Sequence, residues 1–433
     1  MKVFLKNNFQ KAIVLILNKQ TQNLLVYGLG QGFNLVTPLL VVPFIVSKCG
    51  VANFGKVSIA MAILFFLMVF IDFGSDIIGV KEVAIHRANL KQLEKIFITT
   101  FTTKLVLLIV VVSICTLLFT TIPFFNSEKQ LFFLGLTVLV GQFINPTWYF
   151  QGIENFKGIT TLTIISKIIY LSGIFLFIHQ NSDYIYINFL WGIGTIIANG
   201  ITFFSIMIRQ GFSFKNTKKS DVLELLKSNF SMFFSQIFVS LQMYAPIMLI
   251  GVFGNNFMAG QYKIIDQIIV VFKTYIYLFF NFVYPRVCYL IDTNKKEALH
   301  FWKRYNGFNF LFIAFSMTIL FVFSSKAIYF FTKKNVLESS DVLKIAVLIP
   351  VLLAISIPLK QLLLGFNKQR FYIRTTMIMV VVNMVLMVVL LRFFNIKGVL
   401  SSLILTEISI ITIYSVLLKE NIIPFVAKKN KIK

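Results

Sequence analysis

The chain reads as an all-α polytopic membrane protein, with about twelve transmembrane helices in two pseudo-symmetric six-helix lobes. Three observations carry that reading. Its 433 residues are 58% hydrophobic and 13% charged, with a mean hydropathy of +0.84, too apolar for a water-soluble globule. Its apolar runs reach or exceed the roughly 20 residues needed to cross about 30 Å of hydrocarbon, without the polar face of a soluble amphipathic helix. The two halves of the chain also share a layout of Pro-bearing span, Gly/Asn turn and long lysine-bearing span.

Apolar runs bounded by charge or turn residues predict helices over 23–47, 53–78, 96–122, 130–150, 158–179, 184–208, 230–253, 257–285, 304–331, 342–366, 371–391 and 397–418. The first is punctured by Pro38 and Pro43 and closes on a turn from Gly50 to Gly55; the second carries Asp72 near its far end. Lys91 and Lys95 precede the third, and Asn145-Pro146 falls near the end of the fourth. Lys157 introduces the fifth, and the sixth runs out at Arg209. The seventh bears Pro246 and meets the eighth at a turn from Gly251 to Gly260, so that Lys56 and Lys263 correspond in the two halves. Short charged connections separate the last four. Matched halves of this kind suggest parallel repeats about an axis along the membrane normal, with a substrate path between them. Pro38, Pro43, Pro146, Pro246, Pro350 and Pro358 lie in or near spans, where both static kinks and gating bends are open.

Alternate loops collect 27 of the lysines and arginines, against 7 in the opposite set, which places both termini in the cytoplasm. The organisation follows: an interfacial amphipathic segment over 1–22, an N-lobe over 23–208, a basic cytoplasmic linker over 209–229, a C-lobe over 230–418 and a basic tail over 419–433. The net charge of +25 suits anionic lipid headgroups rather than nucleic acid. Cys49, Cys115 and Cys288 stand apart, without metal-ligand spacing.

Charges inside the spans are the chemical signal. Lys56, Lys104, Lys167, Lys263, Lys273, Lys326, Lys360, Asp72, Asp76, Asp266 and Glu407 remain there, and each costs about 2.5–3.5 kcal/mol at a helix centre facing lipid. Lys56, Lys326 and Lys360 are close enough to helix ends to snorkel. Lys167 and Lys273 are not, at on the order of 13 Å from either end, and are expected to line a wet interior. Lys263, Asp266 and Lys273 follow i, i+3, i+10 spacing and share a face. Lys263 and Asp266 read either as a structural pair or as part of a site, whereas Lys273 is expected to lack a partner on its own helix. Glu407, beside Thr406 and Ser409, suits a proton-coupling group or a hydrogen-bonded buried acid. Asp72 and Asp76 are expected one turn apart on one face, where capping, pairing with Lys81 and ion coupling are all open.

The run Tyr27-Gly28 … Pro38-Leu39 … Pro43, then Gly50 … Phe54-Gly55 and Asp72-Phe73-Gly74 … Gly79 … Ala84 … Arg87, resembles the opening of the Wzx-type oligosaccharide flippases. These form the polysaccharide-biosynthesis branch of the multidrug/oligosaccharidyl-lipid/polysaccharide exporter superfamily. Trp148-Tyr149-Phe150-Gln151-Gly152-Ile153-Glu154 and Gly251 … Gly260-Gln261-Tyr262-Lys263 extend the likeness. The resemblance implies a V-shaped bundle that exposes a basic cavity alternately to the two faces of a bacterial cytoplasmic membrane. Its cargo would be an undecaprenyl-pyrophosphate-linked oligosaccharide turned to the outer leaflet for O-antigen or capsule assembly, with a polysaccharide polymerase and chain-length regulator as possible partners and no cofactor. On this resemblance Lys167 and Lys273 are cavity cations, followed by Lys104 and Lys263, and Asp266 and Glu407 are ion-coupling candidates. Asp72, Gly74 and Glu154 are signature positions to which the motif assigns no role.

Three alternatives differ in their sequence demands. A multidrug exporter of the superfamily favours an acidic cavity, whereas lysines outnumber carboxylates in these spans. A lipid II flippase usually has fourteen helices. A membrane polymerase or glycosyltransferase needs a long outer loop, and no phosphate loop, metal motif or nucleophile elbow is visible.

Overall fold

A computed structural model describes residues 19–214 and 218–421. Most of the interfacial segment expected at 1–22 and of the tail at 419–433 lies outside those residues. Among the described residues there is no strand, and ten helical stretches are long and apolar enough to cross a membrane. Two are split by a non-helical residue, Gly50 (φ 79°, ψ 163°) and Asn395 (φ 53°, ψ −142°), so a count of twelve crossings is compatible with the fold.

The chain runs through α1 (Lys19–Asp72, broken at Gly50), α2 (Ile78–His86), α3 (Leu90–Thr121), α4 (Pro123–Asn126), α5 (Lys129–Gly135), α6 (Thr137–Phe143), α7 (Thr147–Gly152) and α8 (Phe156–Phe177). A 3-10 turn over Asn181–Tyr186 leads to α9 (Ile187–Gln210) and α10 (Lys219–Phe253). Then follow α11 (Asn256–Thr293), α12 (Lys295–Val322), α13 (Ser324–Phe331), α14 (Val336–Ala346), α15 (Leu348–Gly365) and α16 (Gln369–Asn421, broken at Asn395). Caps explain several boundaries: the side chains of Asn89, Asn155, Asn255 and Asn294 accept from backbone N–H groups of α3, α8, α11 and α12.

The turn expected from Gly50 to Gly55 contracts to Gly50 alone. Its φ/ψ is open essentially only to glycine, and the helix resumes at once. The fourth predicted span is instead interrupted, at Leu136 and again ahead of Pro146, giving α5, α6 and α7.

Two compact units divide the chain. One contains residues up to Cys49 with Ala60–Tyr244; the other contains Gly50–Ile59 with the chain from Ala245 onward. The first has an aromatic core of Phe97, Phe101, Trp148, Tyr149, Phe203 and Phe212. Small residues bring its helices together: a Cβ on Gly194 would lie 2.7 Å from the Ser166 carbonyl oxygen, which seats α9 directly on α8. In the second unit Val287, Leu290, Ala298, Leu363 and Tyr414 join α11, α12, α15 and α16.

The second unit also contains a reciprocal contact. A Cβ on Gly55 would overlap the Asn256 carbonyl oxygen, and one on Gly260 would overlap that of Val51. Val51 and Asn256 stand 205 positions apart, as do Gly55 and Gly260 (51 to 256, 55 to 260). The helix starts over Val51–Gly55 and Asn256–Gly260 therefore cross backbone to backbone, each glycine facing the other segment's carbonyl.

Candidate functional site

In the first unit, α1 ends at Asp72, and Phe73 (φ 44°) and Gly74 (φ 76°) take left-handed backbone to turn the chain. A Cβ on Gly74 would meet Met232 of α10 at 3.2 Å. Glycine is thus suited here by both its φ and its close neighbour. The turn overturns the expectation that Asp72 and Asp76 share a helical face, and Asp72 pairs not with Lys81 but with Lys104. Lys104 Nζ donates to Asp72 Oδ1 at 2.8 Å and Gln142 Nε2 to Asp72 Oδ2 at 2.7 Å, with the lysine side chain only 3% exposed. Gln142 in turn accepts from Asn145, whose Oδ1 receives the Thr147 N–H. Asp76 accepts from Gln236 at 3.0 Å, and Phe73 stacks on Phe233 at 4.2 Å. The signature aspartate is thus the hub of a buried polar network joining α1, α3 and α6.

The second signature stretch serves α2 and α7. A Cβ on Gly79 would sit 2.9 Å from the Trp148 ring and one on Gly152 2.6 Å from Val83, so both glycines permit close packing. Glu154 (φ 58°) accepts from Arg87 at 3.2 Å, both side chains more than half exposed. Such a pair positions a turn and stabilises it by little.

Lys167 is different. It lies mid-way along α8, is 7% exposed, and places its ammonium 3.5 Å from the centroid of the Trp191 ring. No carboxylate pairs with it among the described residues. Trp191 is itself flanked edge-to-face by Tyr170 at 5.1 Å and Phe65 at 5.9 Å, and Phe65 meets Tyr244 at 5.7 Å.

In the second unit, Lys263, Asp266 and Lys273 meet on one face of α11. Lys263 donates to Asp266 Oδ2 and Lys273 to Oδ1, each at 3.2 Å. The expectation that Lys273 lacks a partner on its own helix is thereby corrected: its four-carbon stem reaches back seven residues, about two turns of helix. The side chains are 36%, 22% and 26% exposed in chain order, so the triad is not sealed in the core. Glu407, on α16, accepts a short hydrogen bond from Ser356 of α15 and lies within electrostatic reach of Lys273 and Tyr277. With Glu407 ionised the four charged groups sum to zero; with it protonated they carry one positive charge.

Of the lysines read as snorkelling, Lys360 places its ammonium by the rings of Tyr372 (4.6 Å) and Phe280 (5.4 Å), and Lys326 lies 5.2 Å from Phe323. An open, almost wholly apolar groove of about 530 Å³ lies elsewhere, against Phe73, Leu107, Leu226, Lys227 and Phe230. Trp191, Gln142 and Ser356 were not singled out from the sequence. Each is one polar or aromatic residue in an apolar span, and no spacing rule marks it as a partner of a distant charge.

The sequence profile of the family described as "Polysaccharide biosynthesis protein" matches residues 20–289. A protein of Escherichia coli (strain K12) named "Putative O-antigen transporter" is 23% identical over 279 residues, 64% of this chain and 67% of that one. A protein of the same name from Shigella dysenteriae is 21% identical over 395 residues, 90% and 98% of the two chains. Among solved structures, the lipid II flippase MurJ in an inward closed conformation is similar with a TM-score of 0.70 at 17% identity, covering 91% of this chain and 87% of that one. An inward-facing multidrug resistance MATE family transporter of the MOP superfamily gives 0.67 at 13% identity, covering 90% and 95%. The two solved structures share its fold, and by the profile match over more than half its length this chain belongs to the polysaccharide biosynthesis protein family.

Proposed function

We propose that the chain is a flippase, not an enzyme, that moves undecaprenyl-pyrophosphate-linked oligosaccharide repeat units from the cytoplasmic to the outer leaflet of a bacterial inner membrane, by alternating access, with both termini cytoplasmic. The observation that carries the reading is the ammonium of Lys167, buried in a membrane helix against an aromatic ring and without a carboxylate partner among the described residues. Such a charge is costly until an anion joins it, and a pyrophosphate on a passing lipid is an anion of the right kind. The names of the Escherichia coli and Shigella relatives support the cargo class. A cation exporter is less well served, since Asp72 and Asp266 are each already held by lysine. Polymerase and chain-length regulator are the partners such a cargo would need next.

In this mechanism the Lys263–Asp266–Lys273 triad is the second contact for the cargo, and Glu407 sets its charge. Proton uptake by Glu407 leaves the cluster one charge more positive, which favours an anionic headgroup; proton loss restores neutrality and favours release. Lys104 belongs to the frame that holds the turn at Gly74, through its bond to Asp72.

Lys273→Ala is expected to remove most surface polysaccharide from a flippase-deficient strain complemented with this chain, at unchanged protein level in the membrane. Normal surface polymer would remove Lys273 from the cargo path. Glu407→Gln fixes the cluster in its positive form, so transport in vesicles should lose its dependence on a proton gradient; an unaltered dependence would return Glu407 to a structural role.

A further inference from the structure

Lys167 and Trp191 compete for one surface. The ammonium rests over the indole at 3.5 Å, on the electron-rich ring against which the C–H face of a sugar also stacks. Phe65 and Tyr170 brace the indole edge-to-face, which keeps the ring in place if the ammonium leaves. Trp191 itself is half-buried, as are Phe65 and Tyr244. The ammonium makes no hydrogen bond among the described residues.

We infer that Lys167 and Trp191 form a receptor for an oxyanion carried beside a sugar ring: the anion draws the ammonium off the indole, and the ring takes the face that is freed. The inference rests on the flippase reading and deepens it, by giving Trp191 a role in cargo selection. A neutral sugar has no means of displacing the cation, and a bare anion has no use for the exposed indole. Discrimination therefore comes from the two groups being adjacent in the ligand. The oxyanion has two sources in such a cargo, the pyrophosphate next to the first sugar or the carboxylate of an acidic sugar.

The chain has three tryptophans, so the emission of Trp191 is read as the difference between the wild-type protein and Trp191→Phe, both full-length and purified in detergent. The probes are N-acetylglucosamine 1-phosphate, glucuronic acid and neutral N-acetylglucosamine. A saturable change in the Trp191 signal is expected with an anionic probe and none with the neutral one. A response to the phosphate alone identifies the carrier pyrophosphate; a response to glucuronic acid alone identifies an acidic sugar; responses to both show that adjacency suffices. Lys167→Met should weaken the responding probe roughly tenfold or more, whereas Lys167→Arg, which keeps the charge, should retain it. Equal responses to the neutral sugar, no response to either anion, or anion binding that survives in Lys167→Met would each overturn the inference. If Lys167→Met does not fold, a loss of response in Lys167→Arg as complete as in Trp191→Phe would overturn it as well. Complementation by the wild-type chain is scored alongside: surface polymer restored without any probe response sinks this receptor and leaves the flippase reading standing.

Discussion

Replacing Lys104 by methionine is expected to destabilise the first unit by about 3–5 kcal/mol, the cost of leaving one member of a buried ion pair alone. Its ammonium is the charged partner of Asp72, and Gln142 supplies only a neutral bond to the other carboxylate oxygen. The orphaned carboxylate would sit at the end of α1, where Phe73 and Gly74 already hold left-handed backbone, so the turn that positions Phe73 on Phe233 should loosen with it. Thermal unfolding in detergent reads the loss. The double variant Asp72→Asn, Lys104→Met removes both charges and should recover most of it, because a neutral pair of similar shape is often as stable as the ion pair. Transport by that double variant separates two roles for Lys104. Retained surface polymer marks the lysine as part of the frame, and lost polymer in a stably folded double variant marks it as a cargo cation.

Gly55→Ala is expected to have an effect of comparable size for a different reason. The added methyl would occupy the position of the Asn256 carbonyl oxygen, and that oxygen belongs to the backbone of α11 rather than to a side chain that can swing away. Overpacking usually costs about 1–3 kcal/mol when side chains can give; here two helices must separate, and the close crossing of Val51–Gly55 with Asn256–Gly260 is lost. Gly260→Ala should do the same from the other side, against Val51. Low yield of folded protein with either variant, alongside a normal yield for Gly28→Ala, where nothing lies within 4 Å, is the expected pattern. Equal yields for all three would show that the crossing relaxes freely.

These two contacts also recast the motifs. Gly55, Gly74, Gly79, Gly152 and Gly260 stand out in the sequence as a family signature, and in the fold each marks a close approach: of helix to helix, of turn to helix, or of glycine to aromatic ring. Asp72 and Glu154 belong to the same class, the first as the hub of a buried network and the second as half of an exposed pair with Arg87. The signature describes how the frame is assembled. The groups proposed to meet cargo lie largely outside it, on Lys167, Trp191 and the face of α11.

Apolar runs longer than a bilayer is thick were enough to establish a polytopic helical membrane protein, because they follow from the energetics of single segments in lipid. Helical spacing likewise placed Lys263, Asp266 and Lys273 on one face, since that needs only the 3.6-residue period. Which charge meets which partner is another matter. Lys104 found Asp72 from 32 positions away, Glu407 found Ser356 from 51, and Lys167 found the ring of Trp191 on a different helix. A pattern along the chain has no term for distances between helices, so only the tertiary structure could separate Lys104, Lys263 and Lys273, each held by a carboxylate, from Lys167, which rests on a ring.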